Sequence, residues 1–121
     1  MAFTIKTRQA DGALVLEMSG RLVAGESVQC LADTFRRLLD DGHRAFVLSL
    51  ARVSHMDTAG LGQVLGTYSS AKTKSGRVVL LSPSTRTRLL LQIAKLVTIF
   101  DIYEDEATAI AALTGRVAIP A

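Results

Sequence analysis

Phe3, Ile5 and Thr7 alternate with Thr4, Lys6 and Arg8, the two-residue period of a strand that buries one face. Asp11-Gly12 then separates this run from a second one, ALVLEMS at residues 13–19. An Asp-Gly pair between two such runs marks a hairpin, because its residues tolerate the positive φ of a tight turn. The first two strands are therefore expected to pair antiparallel.

Gly20 and Gly25 break the alternation, and the spacing changes. Val28, Leu31, Ala32, Phe35, Leu38 and Leu39 recur three and four apart, which places them on one face of an amphipathic helix. Gly42 supplies a left-handed cap after Asp40-Asp41, two acids that sit unfavourably at the negative end of the helix dipole. AFVLSL at residues 45–50 is a short apolar run of buried-strand type. From Thr58, the positions of Leu61, Val64, Leu65, Tyr68 and Ala71 predict a second helix ending near Gly76. RVVLL at residues 77–81 is a strand, and Ser82-Pro83-Ser84 interrupts it. Leu89, Leu90, Ile93, Ala94 and Val97 then mark a third helix, TIFDIY at residues 98–103 a last strand, and Glu104-Asp105 the opening of a fourth helix that runs through Ala107, Ile110, Ala111 and Leu113 to Gly115.

This order predicts an α/β fold with a mixed β-sheet of about five strands packed with about four α-helices. Right-handed crossovers make the later strands parallel, while the hairpin makes the sheet mixed. A chain of 121 residues suits one domain, expected over residues 1–115. RVAIPA at residues 116–121 reads as a short tail.

Composition narrows the function mainly by exclusion. The formal charge is +3, but the fourteen Lys and Arg are scattered, with local pairs such as Arg36-Arg37, Lys72/Lys74 and Arg86/Arg88. A nucleic-acid surface wants a dense basic stripe interleaved with exposed aromatics, so no nucleic-acid partner is expected. Cys30 is the single cysteine and cannot form an intramolecular disulfide, which fits a reducing compartment. The opening MAFTIKTRQADG is not a secretory leader, and no apolar run is long enough to span a bilayer. The expected location is cytoplasmic, without membrane insertion. His43 and His55 stand apart from any Cys or carboxylate at ligand spacing, so neither a metal nor a cofactor is expected. Ser54 and His55 are neighbours rather than parts of a nucleophile elbow, and the chain does not read as an enzyme.

The stretch SHMDTAGLG, residues 54–62, carries the candidate chemistry. It leaves the carboxyl end of a strand, where function collects in α/β sheets. Asp57 is a good N-cap, and Thr58 then takes the first helical position, its hydroxyl at the positive end of the helix dipole. Such a hydroxyl suits phosphorylation, because the added charge of about −1.5 to −2 meets unpaired N–H donors. Asp57 beside it repels that charge, so the modification changes the local field abruptly. Gly60, Gly62 and Gly66 each cost a helix about 1 kcal/mol relative to Ala, which calls for an offset such as the close approach of another backbone, from the adjacent strand or from a docked protein. The same residues are equally consistent with a capping pair and packing glycines of no further function. Read as GxGxxxG, the glycines miss the dinucleotide fingerprint by one position.

MDTAGLGQVLGTY resembles the STAS family, the anti-sigma factor antagonist domains of bacteria, whose signature is Asp-Ser/Thr-x-Gly-Leu-Gly at the start of the second helix. LEMSGRL, FVLSLARVSHMDTAGLG and the long run from GRVVLLSPS to ATAIAAL extend the likeness over nearly the whole chain. The resemblance implies a single STAS-like domain that binds an anti-sigma factor which is also an ATP-dependent serine/threonine kinase. It implies Thr58 as the phosphoacceptor, with a phosphatase acting on phospho-Thr58 to restore binding. It also implies a partner-binding surface at Asp57, Thr58, Ala59, Gly60, Leu61, Gly62 and Arg21. Many members carry Ser at the acceptor position, where this chain has Thr58, and Ala59 replaces a second hydroxyl seen in some. Where antagonists often read Gly-x-Leu-Asp after the second strand, this chain has Gly20-Arg21-Leu22-Val23. An alternative within the same fold is a scaffold subunit without the phosphate switch, part of a stressosome-like or transporter-associated complex.

Overall fold

The computed structural model describes residues 2–115; the tail expected at 116–121 lies outside them. Five strands, β1 (Thr4–Ala10), β2 (Ala13–Leu22), β3 (Ala45–Met56), β4 (Arg77–Leu81) and β5 (Ile102–Tyr103), form one sheet in the order β1-β2-β3-β4-β5. β1 and β2 pair antiparallel around Asp11-Gly12, and every later pairing is parallel. The helices are α1 (Glu26–Asp40), α2 (Thr58–Thr73), α3 (Thr85–Ile93) and α4 (Glu106–Thr114), with a 3-10 turn at Leu96–Thr98. Gly42 takes φ +101 just beyond α1, the left-handed role its position called for.

The two sheet faces are covered unequally. Leu14, Leu16, Met18 and Leu22 of β2 join Phe46, Leu48, Leu50, Val53 and Met56 of β3 in the larger core, under Leu31 and Phe35 of α1 and Leu61 and Val64 of α2. Phe35 and Phe46 pack there with ring centroids 4.5 Å apart. The alternate residues Ala13, Val15, Val47, Val79 and Leu81 form a smaller core under Ala109, Ile110 and Leu113 of α4. β2 and β3 run well past the end of β4, with register shifts between Glu17 and Ser19 and between Gly20 and Arg21. The strand expected over residues 45–50 thus continues to Met56. Pairing to β2 as far as Leu22 and Met56 satisfies backbone groups that a loop would leave to water, and it delivers Asp57 to the upper end of α2.

The last third departs most from expectation. α3 stops at Ile93, Lys95 takes a left-handed conformation at φ 60, and Val97 falls in the 3-10 turn. Thr87 and Leu91 face inward, while Leu89 and Ile93 are 55% and 71% exposed. Three consecutive leucines fit two helical phases, and the contacts with Leu96 and Phe100 in the core select the one that buries Leu91. The last strand shrinks to Ile102–Tyr103 because Phe100 is buried against the edge of Tyr68, their ring centroids 5.5 Å apart. α4 begins at Glu106, one residue after its cap Asp105, whose carboxylate accepts from Thr108 N–H at 2.9 Å.

Candidate functional site

β3 ends at Met56, and α2 begins at Thr58. Asp57 lies between them in an extended conformation at φ −102 and ψ −174, which lets its side chain fold back over the first turn. Its Oδ1 accepts from Gly60 N–H at 2.9 Å, and its backbone carbonyl accepts from Leu61 N–H at 2.9 Å. Its Oδ2 accepts a second bond, from Ala24 N–H in the loop between β2 and α1, at 3.0 Å. The Asp57 carboxylate is held below the usual carboxylate range, first by the Ala24 N–H and then by the Gly60 N–H, because both bonds favour the charged form.

The loop that Asp57 grips is braced from its other side. Ser27, buried in the first turn of α1, donates to Val23 C=O at 2.8 Å and accepts from Val23 N–H at 2.9 Å. Val23 thus has its backbone pinned by a hydroxyl at both its N–H and its carbonyl, and its side chain is half-buried.

Gly60 explains the glycine at the third helical position. A β-carbon there would stand 2.1 Å from Leu22 C=O and 3.0 Å from the Met56 side chain. The close backbone approach expected of the helix glycines is real at Gly60, and the approaching backbone is the end of β2. It is absent at Gly62, where a β-carbon would meet nothing within 4 Å, and at Gly66, where the nearest atom is the flexible end of Gln63 at 3.3 Å.

Thr58 is exposed at the first helical position, as is Gly62 one turn on, and Ala59 is half-buried. Gly60 and Leu61 are buried within the chain. Arg21 is exposed at the end of β2, opposite His55 of β3. The structure thus brings Asp57, Thr58, Ala59 and Gly60 together with Leu22 and Ala24, across more than thirty positions of sequence. Sequence reasoning missed Ala24 because the contact uses its backbone N–H, which carries no residue-type signal. Ser27 was missed as well: it lies inside the first turn of α1, whose cap is Gly25 without a side-chain bond, and its hydroxyl serves the Val23 backbone. Among the described residues no helix is long and apolar enough to cross a membrane.

The STAS domain model matches residues 4–109, which takes in every strand, the first three helices and the first turn of α4. The chain belongs to the STAS domain family. It is 29% identical over 118 residues to the anti-sigma F factor antagonist of Paenibacillus polymyxa, covering 93% of this chain and 97% of that one. An anti-sigma factor antagonist from Mycobacterium paratuberculosis shares its fold with a TM-score of 0.81 at 21% identity, over 93% of this chain and 95% of that one. The Bacillus cell fate determinant SpoIIAA in its phosphorylated form matches with a TM-score of 0.70 at 25% identity, over 92% of this chain and 98% of that one. The five-stranded mixed sheet with four helices is the STAS fold, and in this STAS domain the motif Asp57-Thr58-Ala59-Gly60-Leu61-Gly62 occupies the junction just described.

Proposed function

We propose that this STAS domain is an anti-sigma factor antagonist switched by phosphorylation of Thr58. In the unmodified state it binds an anti-sigma factor that is also an ATP-dependent serine/threonine kinase, so that a sigma factor is freed for transcription in the cytoplasm. In the transfer, Thr58 Oγ1 forms the new bond to the γ-phosphorus of ATP, the bond to ADP breaks, and the hydroxyl proton leaves to a base of the kinase or to water. The product places about −1.5 to −2 of charge beside the ionised Asp57, which weakens the complex. A phosphatase acting on phospho-Thr58 reverses the change. The domain is a binding module and a substrate in this reading, not an enzyme, and needs no cofactor of its own.

One observation carries the reading: Thr58 is exposed on the first residue of a 16-residue helix, directly after a carboxylate that already occupies one of the helix's free donors. The surface offered to the partner is Thr58, Ala59 and Gly62, with Arg21 beside the same end of the sheet. Asp57, Gly60 and Leu61 shape that surface from beneath. Names of relatives in the family, including an antagonist aligned over nearly the whole chain, support the same role.

The test is incubation with the anti-sigma factor kinase of the same genome and ATP, followed by intact mass and site mapping. One phosphate at Thr58, lost in Thr58→Ala, is the expected result. Thr58→Ala should hold the kinase without release, and Thr58→Glu should bind it poorly. A chain that stays unmodified while assembling with a larger complex would instead make it a constitutive scaffold.

A further inference from the structure

Asp57 divides its carboxylate between two elements: Oδ1 serves Gly60 N–H inside α2, and Oδ2 serves Ala24 N–H in the loop before α1. Capping α2 requires only the first bond. The second ties residue 24 to the residue that precedes Thr58. Ser27 holds Val23 on one side of Ala24, and Gly25 caps α1 on the other. Val23 and Ala24 form one wall of a surface groove that also touches Phe3, Arg21, Ser27 and Cys30.

We infer that Asp57 is a latch that transmits the state of Thr58 to this loop: a phosphate on Thr58 takes over the Gly60 N–H and drives the carboxylate off Ala24, loosening the wall of the groove. The inference rests on the reading that Thr58 is phosphorylated. A phosphate on the first helical residue reaches the same free N–H groups of the first turn that the cap uses. Two anions cannot share those donors without strong repulsion, and the phosphate brings the larger charge and more acceptor oxygens. Protonation does not relieve the conflict near neutral pH, since the carboxylate is held below its ordinary range. The helix start cannot retreat either, because Gly60 is packed against Leu22 C=O with no room to spare. The movable parts are the Asp57 side chain and the loop at Ala24, which is exposed. The response is local, in keeping with a phosphorylated relative that shares the whole fold.

The experiment uses the full chain with phosphothreonine installed at residue 58 by chemical ligation, so that no kinase is involved. Amide hydrogen exchange is followed by NMR at Ala24 and Gly60. Exchange at Ala24 should accelerate by about tenfold or more on loss of its charged acceptor, while Gly60 stays protected because its acceptor has been replaced. An unchanged Ala24 overturns the latch, and so does equal acceleration at both sites, which is general loosening. Asp57→Asn, with one acceptor oxygen in place of two, should accelerate exchange at one of the two amides without any phosphate; no change at either also overturns it. If that variant does not fold, acid titration of the unmodified chain should move the Ala24 and Gly60 amide resonances together, and separate movement counts against the latch. A kinase that ignores Thr58 would remove the functional reading and leave these results standing.

Discussion

A β-carbon built on Gly60 would stand 2.1 Å from the carbonyl oxygen of Leu22. The end of β2 and the first turn of α2 are thus in backbone-to-backbone contact, with no flexible side chain to yield. Gly60→Ala should destabilise the domain by about 1–3 kcal/mol or more from overpacking, exceeding the gain of about 1 kcal/mol that Ala brings to a helix. A fall in the urea midpoint at unchanged slope would show it.

Gly62 should behave in the opposite way. It is exposed, and a β-carbon there meets nothing within 4 Å. Gly62→Ala should therefore raise stability by about 0.4–1 kcal/mol, measured in the same urea titration. If its bareness serves a docked partner, the more stable variant will also bind the anti-sigma factor less tightly, as calorimetric titration would register.

Acid should weaken the domain through its helix caps. The Asp57 carboxylate is held low by Ala24 and Gly60, and the Asp105 carboxylate by Thr108. In both, the folded state binds its proton more weakly than the unfolded chain. The stabilisation is fully present above the unfolded carboxylate value of about 3.9 and is lost as pH falls through the lower folded values. Urea midpoints should be flat near neutrality and drop below about pH 4, with a shallower drop in Asp105→Asn than in the parent chain.

α3 provides a test of phase. Leu91 is fully buried and Ile93 is 71% exposed, although both are apolar and lie two residues apart. Leu91→Ala should cost about 2–5 kcal/mol through the cavity it leaves. Ile93→Ala should change stability by no more than about 0.5 kcal/mol. Equal losses would place α3 in the other helical phase.

Much of the architecture was legible because its signals were local. Asp11-Gly12 between alternating runs specified the hairpin, and the spacing from Leu31 to Leu39 specified α1 and its buried face. Asp57 announced itself as a cap, and Thr58 as the first helical residue, from their types alone. The third helix was less legible, since Leu89, Leu90 and Leu91 satisfy more than one face. The strand at residues 51–56 was hidden because Ala51, Arg52 and Ser54 are exposed and break the apolar run.

The sequence by itself determined the α/β order, the antiparallel start of the sheet, and an acid followed by a hydroxyl at the head of α2. These follow from periodicity and residue type, which act over a few neighbouring positions. Tertiary structure alone decided which glycine of the Asp57–Gly62 motif lies against another backbone, which leucine of α3 is core, and that Asp57 holds Ala24 as well as Gly60. Those outcomes depend on backbone groups brought together by the parallel pairing of β2 with β3, and a backbone carbonyl or N–H is the same in every residue that could have stood there.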